Sequence, residues 1–429
     1  IVTLEFLSGV NSTSGFSLGV NSSNLHTKLS FFNPADEVTK EAKDTAKTTT
    51  AIATGVSGGA AILSFNPSGI WQILNTIQLL TYISITSNPL TPSLRGHFTG
   101  TSLLERIPKA INYGSDNSSS DTNHYSREHR FDSNLFVMNA GGSITILLVL
   151  LGSWLLVWVI SKIRVGCIRT ASNFILTKFK FSILIRYWIQ TYLDLAIPCL
   201  IQFTSLPKLH IEVILNFLVG CLFFTLIAVT PLGLVLFFNS KKDQVTSNST
   251  DSDFYKTWGS LFYEFKCDTT MKTLTYSVFT FKRLLFAASL ILLSELPVVQ
   301  GISNLLLMLG FLVFLVVVRP YKDKVVQAIS IAVETGVTLI FGLILYYLRQ
   351  DIGDWGSVLE TAILWISNGL MVIQSLGAVL GLILKLYSWC RNKTSVENLS
   401  TQYETTIANQ DNPEFTPEAC DSEKPDFNN

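Results

Sequence analysis

The feature that most constrains this chain is a succession of apolar runs, each near the length of a bilayer crossing and each separated from the next by a polar or proline-bearing connection. A helix needs about 20 largely apolar residues to span the hydrocarbon core. Runs approaching that length lie at 47–64, 68–87, 138–160, 183–205, 211–238, 275–297, 301–318, 326–348 and 357–384. The expected fold class is therefore all-α, a polytopic transmembrane helix bundle of about nine spans. Composition agrees, because 48% of the 429 residues are hydrophobic and only 14% are charged, too few to solvate a soluble surface of this size. Basic and acidic residues balance at 31 each, which argues against a nucleic-acid partner.

The first run is the weakest, being rich in Gly, Ala and Thr, and only Phe65-Asn-Pro-Ser separates it from the second. Two readings stay open there: two spans joined by a tight turn, or one long bent helix over 47–87. Residues 1–46 are rich in Ser, Thr and Asn with alternating apolar positions, as in Ile1-Val-Thr-Leu-Glu-Phe-Leu7. They read as a short β-like remnant, the end of an extracellular β-rich domain that would lie upstream. The bundle then covers 47–393. Residues 394–429 hold eight acids against Lys424 and are expected to form a disordered acidic cytoplasmic tail.

Charge sets the orientation. Lys162, Arg164, Arg169, Lys178, Lys180 and Arg186 follow one another without an acid, which places that connection in the cytoplasm. Alternation from there puts the N-terminus outside or in a lumen, the C-terminus in the cytoplasm, and residues 88–135 outside. The glycosylation tripeptides at Asn11, Asn21 and Asn117 then face a glycosylating compartment, whereas those at Asn248, Asn392 and Asn398 do not. Either the plasma membrane or an endomembrane satisfies this topology. In the largest inner loop, 239–274, the aromatic stretch Phe254 to Phe265 is expected on the membrane surface or against the bundle.

Ionisable side chains inside spans are costly and mark candidate sites. Asp194, Glu334 and Glu360 are the candidates taken from among them. Arg186, Gln190 and Asp194 share one helix face, as do Gln327, Ser330, Glu334 and Thr338. In the ninth run Glu360, Ser367 and Gln374 recur every seven residues, flanked by Asn368 and Ser375 and continued by Gly377 and Gly381. Such a stripe suits an ion path, because side-chain oxygens can replace water around a cation. It equally suits ordinary glue between membrane helices, which is also how Gly55-x-x-x-Gly59 and Gly377-x-x-x-Gly381 read. Pro198, Pro231 and Pro297 read as kinks. His124 and His129 read as solvated loop residues, and the scattered cysteines signal neither a disulfide framework nor a metal site. No P-loop, GxSxG, HExxH or GxGxxG is present, so neither an enzyme nor a cofactor is indicated.

Several local motifs, taken in order, carry a resemblance. They are Thr48 to Ser64 followed by Trp71-Gln-Ile-Leu-Asn-Thr-Ile-Gln78, Phe131-Asp-Ser-Asn-Leu-Phe136, Trp258-Gly-Ser-Leu-Phe-Tyr-Glu-Phe265, Lys282-Arg-Leu-Leu-Phe-Ala287, Pro297-Val-Val-Gln300 and Val318-Arg-Pro-Tyr321. Over residues 45–390 the chain resembles the C-terminal transmembrane part of the TRP-like membrane family of fungi, with flavin-carrier and polycystin-like members, and related ciliate proteins. That resemblance implies ion-channel or transport roles. A departure accompanies it: the connection 349–356 is too short for the pore helix and filter that tetrameric TRP channels place between their last two spans. Three functions follow as expectations: a cation channel, a lipid or small-molecule carrier or scramblase, and a membrane anchor for an upstream domain. The implied partners are the lipid bilayer, cations and a second copy of the chain in a homo-oligomer.

Overall fold

The computed structural model describes residues 34–64, 68–87, 90–102, 135–162, 184–204, 211–246, 258–262, 264–348 and 355–410, with Ser172, Leu176 and Phe254. The longer helices are α1 (Pro34–Ser64), α2 (Ser68–Ile83), α3 (Pro92–Gly100), α4 (Gly141–Ser161), α5 (Leu184–Phe203), α6 (Ile211–Ser240), α7 (Thr275–Leu292), α8 (Pro297–Val318), α9 (Lys324–Tyr347) and α10 (Trp355–Gln410). Short helical turns at Phe136–Asn139, Lys242–Thr246, Gly259–Leu261 and Thr270–Thr273 complete the described elements. Among the described residues the only β pairing is an isolated bridge between Phe265 and Tyr321.

Among the described residues six helices are long and apolar enough to cross a membrane: α4, α6, α7, α8, α9 and the first part of α10 to Ser388. The expected nine therefore reduce to six by this measure. Within the other three runs residues 47–64, 68–83 and 184–203 are helical, but α2 has only 16 residues and α5 carries Arg186, Gln190, Asp194 and Gln202. Gly58 lies within 3.6 Å of Ile70 for an added Cβ, so α1 and α2 fold back on each other. In one continuous helix those residues would stand about 18 Å apart.

Two boundaries move. The β-like reading of 1–46 ends too late, since α1 already begins at Pro34. Pro34 suits the first helical turn, Asp36 and Glu37 favour the positive end of the helix dipole, and Ala42 and Ala46 are strong helix formers. Residues 1–33, with Asn11 and Asn21, lie outside the described residues. At the other end α10 continues to Gln410, well past the expected start of a disordered tail at 394. Val396, Leu399, Tyr403 and Ile407 recur at three- and four-residue intervals, a helical stripe that the excess of acids obscures.

Helix ends follow local chemistry. The seventh apolar run begins earlier than expected, because Pro297 is not the end of α7 but the first residue of α8. Arg319 closes α8 in the left-handed conformation at φ 49°, with Pro320 barring further helix. Asp323 then caps α9 by accepting from the Val325 N–H at 2.8 Å. Pro198 and Pro231 sit inside helices that continue through them.

Packing is inside-out relative to a soluble domain. Leucines and valines of α4, α6 and α8, such as Leu156, Leu222, Leu236 and Val317, stand exposed at the periphery. By contrast nearly every residue of α5 from Arg186 to Gln202 is buried. Without water outside, helices associate through close packing and interhelical hydrogen bonds, so small and polar groups turn inward. Gly96 and Gly100 let α3 lie directly on the backbone of α1 at Thr39 and Lys43, where a Cβ would collide. Gly377 packs against the side chain of Ile329, whereas Gly55, Gly59 and Gly381 meet nothing within 4 Å among the described residues.

Candidate functional site

The polar interior centres on α2. In its 16 residues Gln72, Asn75, Thr76, Gln78, Thr81 and Tyr82 point to different neighbours, so this one helix touches most of the inner faces of the bundle. Asp194 on α5 accepts the Tyr82 hydroxyl at 2.7 Å and the Gln78 amide. Gln72 donates to Ser330 on α9 at 3.3 Å. Thr81 and Thr101 share a hydrogen bond of 2.9 Å. A buried carboxylate needs such donors, since leaving it unpaired in an apolar interior costs several kcal/mol, about 3 or more.

Two consecutive cations on α7 complete the centre. Arg283 donates to the carbonyls of Ile189 and Gln190 at 3.1 and 3.0 Å and to Asn75 Oδ1 at 2.6 Å, with its guanidinium 4.4 Å from the Phe279 ring. Its fork of donors is what allows one side chain to join α2, α5 and α7. Lys282 pairs with Glu334 on α9 at 2.6 Å and lies 4.4 Å over the Phe311 ring of α8. Both partners are largely buried, with side chains 6% and 13% exposed. A small cavity of about 30 Å³ borders Asn75, Thr76, Lys282, Arg283 and Glu334, room for a water molecule or two.

From the other side α10 reaches the same interior. Gln374 donates to Thr76 Oγ1 at 2.5 Å and to the Gln72 carbonyl at 3.3 Å. Ser367 and His97 of α3 share a 2.9 Å hydrogen bond. His97 lies outside the spanning helices, and burial pushes its pKa down to about 4, so it is neutral at physiological pH. Gln78 Oε1, Gln190 Oε1 and Gln374 Oε1 are buried polar atoms with no hydrogen-bond partner among the described residues.

At the end of the bundle where α5 begins, the aromatic stretch takes the second of its two expected positions, against the helices. Trp258 packs on Phe237 of α6, and Phe265 packs on Tyr276 and Tyr321. Glu264 receives Arg186 at 2.9 Å, so that arginine is paired rather than extended to the interface. Backbone bonds from Lys266 to Pro320 and from Lys322 to Glu264 tie the stretch to the α8–α9 turn.

Of the residues singled out from sequence, Asp194 and Glu334 lie in the polar interior, and Ser367 and Gln374 border it from α10. Glu360 is half-buried near the start of α10, apart from the others. Asp194, without an evident partner in the sequence, has two. Asn117, His124, His129, Asn248 and the connection 349–354 lie outside the described residues. Sequence reasoning missed Gln72, Asn75, Gln78, Tyr82, Lys282, Arg283 and His97 as site residues. A signal existed for the first three, because five amide or threonine side chains between 72 and 81 are unusual for a membrane helix.

Comparison with known proteins fits this architecture. No curated protein matches the chain, and neither does any solved structure. A family model does, that of the transient receptor potential (TRP) ion channel, over residues 120–404, more than half of the chain and the whole of α4 to α9. The six membrane-crossing helices all fall within that match, and the chain belongs to the transient receptor potential (TRP) ion channel family.

Proposed function

We propose that this membrane protein is a channel that passes cations, with Asp194 and Glu334 as the acidic groups of a path through the polar interior. The observation that carries this reading is the grouping of Glu334, Lys282 and Arg283 around a small cavity between α2, α7, α8 and α9, with Asp194 of α5 held by Gln78 and Tyr82 of the same α2. Ionisable groups at that depth cost roughly 3 kcal/mol each on insertion scales, and bundles keep them where ions or protons pass. In this closed arrangement each acid is engaged by a partner, and opening exchanges those partners for water. The unpartnered amide oxygens of Gln78 and Gln374 add acceptors for a cation along the same surface. Glu360, about 21 Å along α10 from Gln374, stands at a mouth of the path in this reading. The nine-span topology belongs to it as well, with α1, α2 and α5 crossing beside the six apolar helices, and Asn11, Asn21 and Asn117 available for glycosylation.

Recordings of the intact protein in a planar bilayer test this. A cation-selective current is expected, and Asp194→Asn, which keeps the shape of the side chain, should lower cation-over-anion selectivity. Silence in the bilayer, combined with transfer of a fluorescent phospholipid across vesicles holding the same protein, would replace the channel with a carrier. Neither flux would leave a membrane anchor.

A further inference from the structure

The aromatic stretch that ends at Phe265 is drawn across the end of the bundle where α5 begins, and it touches the helices that carry the charged centre. Glu264 takes Arg186 of α5 at 2.9 Å, with both side chains largely shielded. Phe265, 2% exposed, sets its ring 4.8 Å from that of Tyr276 on α7 and 5.1 Å from that of Tyr321 in the α8–α9 turn. Its backbone is bridged to Tyr321, the Lys266 N–H donating to the Pro320 carbonyl at 2.7 Å and the Lys322 N–H to the Glu264 carbonyl at 2.9 Å. Upstream, Trp258 and Phe262 pack on Phe237 and Phe238 of α6. One short segment thus straps α5, α6, α7 and the α8–α9 turn together.

Depth relates this strap to the charged centre. On α5, Asp194 lies eight residues beyond Arg186, about 12 Å along the axis. On α7, Lys282 lies six residues beyond Tyr276, about 9 Å, and on α9 Glu334 lies four beyond Ser330, about 6 Å. Ser330 accepts the Gln72 amide on one side and is reached by the Tyr321 side chain on the other. Tyr321 therefore stands between Glu264 of the strap and Glu334 of the centre, within electrostatic reach of both. The ring of Phe265 closes the bundle one to two helical turns from the acids, where an apolar constriction excludes water and, with it, ions.

We propose that residues 264–266 are the gate of the path at this end of the bundle, with Phe265 as the plug and the Arg186–Glu264 pair as the latch. The gate rests on the conduction reading and adds to it the point at which the path is shut. Withdrawing Phe265 from between Tyr276 and Tyr321 opens a way from solvent past Tyr321 and Ser330 to Glu334. The segment is built to move: it lies outside the long helices and is held by one ion pair, one isolated bridge and ring contacts, not by a helical ladder. A buried ion pair adds little over apolar packing to stability, and its best-attested use is to select one arrangement over another.

Thiol labelling of the full chain in nanodiscs, with its six cysteines replaced by serine and Ser330→Cys introduced, provides the test. The probe is a charged, water-soluble methanethiosulfonate. Glu264→Gln, which keeps the side chain's shape and removes the latch charge, should raise the labelling rate at 330 about tenfold, the change that about 1.4 kcal/mol of lost closure gives. Phe265→Ala should raise it further. Thr101→Cys, bonded to Thr81 toward the opposite end of α2, should label at one rate with and without these changes. In planar bilayers both strap variants should pass more current than the unaltered protein. A rate at 330 that neither variant changes overturns the gate, and so does an equal rise at 101, which marks a loosened bundle. Faster labelling at 330 alone, with no current from any form of the protein, upholds the closure and overturns the conduction reading instead. If Phe265→Ala does not elute as a single species, Glu264→Gln decides.

Discussion

Helices α4 and α5 are neighbours in sequence and nearly equal in length, 21 and 20 residues, yet they occupy opposite environments. Apolar on every side, α4 turns leucine, valine and tryptophan outward and buries little beyond its first turn. Its successor is interrupted by Arg186, Gln190, Asp194 and Gln202 and is buried along almost its whole length. Hydropathy therefore reports exposure to lipid, and the helices that look least membrane-like are those the bundle encloses. The shell of α4, α6 and α8 is held by what surrounds it, whereas α2, α5 and α7 are held by specific pairs.

That contrast can be broken most forcefully at the ion pair. Lys282→Met leaves Glu334 buried without its partner and should lower stability in detergent by about 3–5 kcal/mol. Adding Glu334→Leu should recover most of the loss, and thermal denaturation of both variants would show it. Additive losses would mean that the pair is not a unit.

Proton linkage at His97 gives the next largest effect. Its folded pKa of about 4 lies below the ordinary 6.5, so the unfolded chain binds the proton first. Stability should therefore be complete above pH 6.5 and fall as pH drops toward 4, by roughly 3 kcal/mol at most. His97→Asn, able to keep the Ser367 hydrogen bond, should flatten that slope in melting curves measured between pH 7 and pH 4.5. An unchanged slope would assign it to other groups.

Smaller still are substitutions that compare the two regions directly. Gly100→Leu should cost about 1–3 kcal/mol, because its side chain meets the Lys43 carbonyl and Ala46. Gly59→Leu, which meets nothing within 4 Å among the described residues, should cost little. Leu222→Ala on the lipid side should change stability by less than about 0.5 kcal/mol, since acyl chains are as apolar as leucine. Comparable losses at Leu222 and Gly100 in denaturation curves would show that Leu222 is covered in the membrane, by a second copy of the chain for instance.

How much of this was legible follows from the same physics. The apolar runs of α4, α6, α8, α9 and α10 announced themselves by length, and Asp194 and Glu334 by the cost of charge within them. What could not be read was partnership. Nothing local relates Asp194 to Gln78 and Tyr82, which lie 116 and 112 positions away in the chain, or Gln374 to Thr76, 298 away. The stripe through Glu360, Ser367 and Gln374 was visible, but its periodicity could not say that the latter two face α3 and α2. Lys282 and Arg283 stand in the sequence only within a motif, in the middle of α7, and nothing local names Glu334 or Asn75 as their partners.

The family match begins at residue 120, after α3, while the polar interior draws on what comes before it. Asp194, Arg283, Gln374 and Ser367 all lie inside the match, and each takes a partner from α2 or α3 outside it. The recognisable module is consequently not an autonomous one. Expressed by itself or grafted onto a foreign leader, residues 120–404 would expose a carboxylate, a guanidinium and an amide to acyl chains, and Tyr82, Asn75, Thr76 and His97 would have to be supplied with them.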